Sequence, residues 1–221
     1  MKFSCGALLS IVCAASAVAA DNWIKLKTER FELFTNSSER RGRELLSQFE
    51  RIHGFFAKDA RVSTKPMLPA RIIVFRSAKD FEQYRPNEVA AAFYSQGVEA
   101  HYVAMQASGD ERVAYHEFVH LLTAHRELNL PVWFGEGFAE LYSTLKPVGK
   151  KVQVGHLIEG HFYAKRQEKW IPVVELVQAK HDSPLYNRKN HAGAFYAESW
   201  ALMHMLNLSQ EYRPNFGKFF L

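Results

Sequence analysis

His116-Glu117-Phe118-Val119-His120, followed by Pro131-Val132-Trp133-Phe134-Gly135-Glu136-Gly137-Phe138-Ala139-Glu140, is the stretch on which the fold turns. On a helix His116 and His120 lie one turn apart on one face, so both imidazoles can reach a single metal ion. Glu117 sits beside them, where a carboxylate can take a proton from water held at that ion. Pro131 suits the opening of a second helix. From that helix Glu136 can supply a third donor and leave one coordination position open. Phe118, Val119, Leu121 and Leu122 are apolar, so the first helix is expected to be buried around its polar face. A buried face with two histidines and a glutamate needs a partner, and a divalent cation is the obvious one.

Position narrows the donor set. A third histidine in the pattern HExxHxxGxxH would require glycine at 123 and histidine at 126, where the chain has Thr123 and Arg126. His125 points about 140° away from His120 on a helical wheel. The third ligand should therefore be a glutamate. His53, His101, His156, His161, His181 and His204 have no spacing that suggests a shared ligand role.

The 221 residues suffice for one sizeable domain, and a composition 48% hydrophobic and 23% charged is that of a folded chain. Met1 to Ala20 reads as a signal peptide: Lys2, an apolar run from Ala7 to Val18, then the small residues Ala17-Val18-Ala19-Ala20. Its apolar stretch is short for a membrane span, so no stable membrane insertion is expected after cleavage. Both cysteines, Cys5 and Cys13, fall inside it, leaving no disulfide in the mature chain. Export without disulfides points to a bacterial envelope, with a periplasmic or secreted protein. The absence of thiolates also restricts any metal site to histidine and carboxylate. The formal charge is +5, without a concentrated basic block, which gives no case for nucleic-acid binding.

Along the mature chain, Trp23 to Thr35 reads as one or two strands and Arg40 to Phe56 as a helix with Leu45, Leu46, Phe49, Ile52, Phe55 and Phe56 on one stripe. Arg71 to Phe75 is a core strand. Ser77 caps a helix through Tyr84, stopped by Pro86. Ala91 to Tyr94 and His101 to Met105 are strands joined by a turn at Ser95-Gln96-Gly97. After Gly109 the character is helical: a helix to about His125, one from Pro131 to Tyr142, a basic loop from Lys146 to Gly155, then helices over 157–169, 173–179 and 192–208. The expected class is α+β, a small mixed β-sheet with helices (21–108) followed by a mainly helical half (109–221), with a cleft between them.

The chain resembles the gluzincins, and more narrowly the peptidase MA-like domains of bacterial exported proteins. The resemblance rests on His116 to His120, on Leu130 to Glu140 and on the late helix Phe195-Tyr196-Ala197-Glu198-Ser199-Trp200-Ala201-Leu202. It implies a zincin-like fold and a zinc-dependent peptidase acting on a peptide or protein. It maps the glutamate ligand onto Glu136 and the acid that hydrogen-bonds the outer nitrogen of a ligand histidine onto Glu140. Glu117 would be the general base toward water whose pKa zinc lowers to about 7. Tyr196 is the first candidate for oxyanion stabiliser and His191 the second. Many relatives carry asparagine where this chain has Gly135. The resemblance also implies that the strand over Val98 to Met105 lines the cleft and pairs with extended substrate. The other reading of the chain is a non-catalytic envelope interaction module with a structural or vestigial metal site, for which the intact Glu117 would have no use.

Overall fold

Alternation decides the first strands. In Phe31-Glu32-Leu33-Phe34-Thr35 the odd positions are buried and the even ones partly exposed, and Ala70, Ile72 and Val74 repeat that pattern. Side chains two apart share one face of a strand, so these residues form one apolar sheet surface, joined by Val103 and Met105. The computed structural model describes residues 22–58, 69–86, 90–123, 130–148, 151–187, 192–216 and 218. Among them a five-stranded mixed sheet is built from β1 (Ile24–Lys27), β2 (Phe31–Thr35), β3 (Ala70–Phe75), β4 (Ala92–Gln96) and β5 (His101–Gln106). The strand order is β1-β2-β3-β5-β4, parallel for β2-β3 and β3-β5 and antiparallel at both margins.

Helix α1 (Glu39–Lys58) covers that surface with Leu45, Leu46, Phe49, Ile52 and Phe56, and Ser38 Oγ accepts from Arg41 N at its start. Phe55 is only partly buried at the margin of the core. Gly42 lies against Leu26, Leu33 and Thr35, so the helix sits tightly on the β1–β2 corner. Helix α2 (Ala78–Glu82) is capped by Ser77, as expected, but ends well before Pro86.

The second half is helical, so the class is α+β. Helix α3 (Glu111–Thr123) carries the HExxH motif, and α4 (Val132–Ser143) carries Glu136 and Glu140. Then come α5 (Glu159–Gln167), α6 (Val173–Gln178), α7 (Pro184–Asn187), α8 (Ala192–Leu208) and α9 (Arg213–Phe216). Phe118 drives α3 onto the sheet layer, with its ring 5.0 Å from Phe49 and 5.4 Å from Phe31. Fully burying such a ring is worth roughly 2–3 kcal/mol, which seats the motif helix while its polar face turns the other way. A side chain at Gly137 would overlap the Ser199 carbonyl, so α4 and α8 meet backbone to backbone there.

Three expectations are corrected. The basic stretch after Leu145 is not a plain loop: β6 (Lys146–Val148) and β7 (Lys151–Gln153) pair as a hairpin. Its Val148 and Val152 are exposed, so no buried face announced it. The turn between β4 and β5 lies further on than expected, closed by Gly97 N donating to Ala100 O. Most consequentially, the strand within Val98 to Met105 is not at the cleft edge: β5 is interior, and β4 is the margin. Periodicity identifies a strand but not its neighbours. The signal peptide expected over 1–20, His125, Arg126 and His191 lie outside the described residues.

Candidate metal centre

The two helices bring the sequence-predicted donors together. His120 Nε2 lies 2.9 Å from His116 Nε2, and Glu136 Oε2 lies 3.1 Å from the first-named motif histidine, His116, and 3.3 Å from His120. One nitrogen from each ring and one carboxylate oxygen thus form a small triangle. Metal bonds of about 2.0–2.1 Å place neighbouring donors about 3.0–3.4 Å apart, so these separations suit one shared ion. His116 and Glu136 are buried and His120 is partly exposed, which leaves the triangle open on one side. This group can hold a metal ion.

Two of the three donors, Glu136 and His116, are held from behind. Tyr186, on α7, donates its hydroxyl to Glu136 Oε1 at 2.9 Å, so Oε2 is the oxygen left facing the histidines. Glu140 Oε1 approaches His116 Nδ1 at 3.2 Å, off the line of an ideal hydrogen bond but close enough to act on the ring. Glu140 Oε2 in turn meets Arg112 Nη1 at 2.8 Å and His161 Nε2 at 3.2 Å. Imidazole that meets an acceptor at Nδ1 keeps its Nε2 lone pair for a ligand role.

Electrostatics follow from this packing. Burial opposes charge on His116, but hydrogen bonds and proximity to Glu136 and Glu140 outweigh it and raise its pKa to about 10. Burial likewise opposes charge on both glutamates. His116 and His120 nevertheless hold Glu136 well below the usual carboxylate range, and His116, His161 and Arg112 do the same for Glu140. Two buried acids therefore converge on the histidine pair, a setting that calls for positive charge.

Glu117 stands apart from the triangle. Its Oε2 accepts the Tyr94 backbone N–H at 2.9 Å, which ties it to strand β4. In the antiparallel ladder the N–H of Tyr94 points away from β5, so the outer edge of the sheet is what grips this carboxylate. Burial raises the pKa of Glu117, with the two histidines pulling the other way. Glu117, His120, Glu136, Tyr94, Tyr186 and Tyr196 line a cleft of about 490 Å³ that also opens past Pro131 and Gly135. No atom stands near the position a side chain at Gly135 would take, so this glycine leaves the cleft wall open.

Tyr196, on α8, enters the same cleft, its ring 6.0 Å from that of His116, and it hydrogen-bonds to Tyr186. Burial raises the pKa of both tyrosines, which keeps them protonated and able to donate. Sequence reasoning found His116, Glu117 and His120 from spacing and singled out Glu136, Glu140 and Tyr196 from resemblance. It missed Tyr186, Arg112 and His161, whose partners lie on other elements. Only Arg112 carried a local signal, standing one helical turn before His116.

In class, the site is a His–His–Glu group able to hold a metal ion, between a mixed sheet margin and a helical layer. Scans against protein-family models and against curated proteins find no match for the chain.

Proposed function

We propose that the chain is an exported zinc-dependent peptidase, in which Glu117 is the general base. The observation that carries this reading is Glu117 itself, which lies beside the His116–His120–Glu136 triangle without belonging to it. A purely structural site would have no need of a carboxylate held within reach but outside the donor set. Two histidines and a glutamate with an open position form one of the donor sets that catalytic zinc takes. Zinc, when bound, supplies a Lewis acid that acidifies water and polarises a carbonyl.

The chain's own residues do the rest. Glu117 takes a proton from the attacking water at Oε1, the oxygen not engaged by Tyr94, and returns it to the departing amine. Burial raises its pKa, which strengthens it as a base toward water. Tyr196 donates its hydroxyl to the substrate oxygen as negative charge develops there. Tyr186 fixes which oxygen of Glu136 faces the histidines. Peptide or protein is the substrate class, entering along the cleft beside β4. Export rests on the signal-like residues 1–20.

Metal analysis combined with cleavage of fluorescently labelled casein tests the proposal. About one zinc per chain is expected in both the wild type and Glu117→Gln. Cleavage should fall about 10²–10⁴-fold in Glu117→Gln. Zinc in both with no cleavage in either would return the weight to a binding module.

A further inference from the structure

The geometry points to Arg112 as a positioning residue for the metal centre, acting through Glu140 on His116. This inference rests on the metal-site reading but not on peptidase activity. Arg112 stands on α3 one turn before His116, so the same helix supplies both the ligand and the cation that fixes the ligand's support. The division of Glu140 is the key observation. Its Oε2 takes Arg112 Nη1 at 2.8 Å and His161 Nε2 at 3.2 Å, which leaves Oε1 for His116 Nδ1.

A glutamate carboxylate, carried on two methylenes, can rotate, and rotation here would withdraw Oε1 from the imidazole. Two donors from outside, one on α3 and one on α5, hold its plane. Arg112 is the stronger of the two, because a charged guanidinium to a carboxylate at 2.8 Å is a charge-assisted bond. Arg112 is itself held in place. Its Nε lies 3.6 Å from Asp110 Oδ2, and its Nη1 also lies 3.5 Å from Ser143 Oγ. The chain of contacts therefore runs Arg112 to Glu140 to His116, and ends at the Nε2 that faces His120 and Glu136.

Zinc affinity, read by competition with a chromophoric chelator on the full chain, tests this without any substrate. Arg112→Met should weaken zinc binding by about 10-fold or more, the scale on which outer partners of ligands act. In a Glu140→Ala background the same substitution should cost less than about twofold, because nothing remains for Arg112 to position. An equal loss in both backgrounds would make Arg112 merely structural and overturn the inference, as would undiminished affinity in Arg112→Met. A wild type that takes up no zinc would overturn the metal reading itself, and this inference with it. Circular dichroism of the metal-free variants checks folding. If Arg112→Met does not fold, Arg112→Lys carries the same cycle: it keeps the charge but loses the planar fork, and a smaller loss that again vanishes with Glu140→Ala is expected.

Discussion

Helices α4 and α5 both pack on α8, yet α4 buries 11 of its 12 residues and α5 buries none of its 9. Buried among the apolar side chains of α4 are Glu136 and Glu140. Helix α5 looks like a solvated outer layer, but it sends two cationic or donor groups inward. His161 reaches Glu140, and Lys165 forms an ion pair with Glu198, a buried acid on α8 that also accepts the Ile171 N–H. The difference teaches that this half of the molecule sets buried carboxylates inside its apolar core and meets them from an exposed helix. The inner helices carry the acids and the outer one helps satisfy them.

Breaking the inner helix should cost most. Gly137→Val would drive a branched side chain into the α8 backbone, with no rotamer to relieve it. A loss of at least about 3 kcal/mol in urea unfolding is expected. Breaking the outer helix's polar service comes next. Lys165→Met leaves Glu198 buried without its cation and should cost about 3 kcal/mol, whereas Lys165→Met with Glu198→Met should recover most of that. A double variant as unstable as the single one would mean that packing, not charge, is what α5 contributes.

Protons give a subtler comparison between metal-free and metal-bound states. His116 is raised to about 10, above the ordinary histidine value of 6.5, by the two α4 glutamates. In the metal-free protein its contribution to stability is complete below about 6.5 and fades as pH rises toward 10. A metal must displace that proton, so apparent zinc affinity should rise about tenfold per pH unit between 7 and 9. Calorimetry at pH 8 in buffers of different ionisation heat should report about one proton released. The smallest effect belongs to the outer face of α5: Phe162→Ser, at an exposed site, should stay within about 0.5 kcal/mol.

Much of this arrangement was legible before any coordinates. The stripe from Leu45 to Phe56 and the alternation in β2 are local periodicities, and they bury the faces their patterns predict, Phe55 excepted; β3 was legible as an apolar core strand. The candidate donors His116 and His120 were legible for the same reason, since helical spacing pairs them, whereas Glu136 was singled out on its helix by the resemblance. What escaped was anything that depends on which elements become neighbours. Tyr186 lies 50 residues from Glu136, and the Tyr94 backbone reaches Glu117 across 23. A backbone N–H leaves no trace in residue identity at all. The same limit hid the order of β4 and β5, because alternation says that a strand has two faces and nothing about which margin it occupies.

The three donors lie within residues 116–136, whereas Tyr186 and His161 are supplied by later chain. Closing so short a loop costs little chain entropy, since the penalty grows only with the logarithm of its length. The donor triangle can therefore assemble as soon as α3 meets α4, and a metal caught there would favour that pairing by mass action. Arg112 and Glu140 come with those two helices, whereas His161 and Tyr186 arrive only when α5 and α7 dock. Chain order thus separates capture from the last part of the alignment, so metal uptake during refolding should begin in a looser, faster-exchanging form and tighten further when α5 and α7 dock.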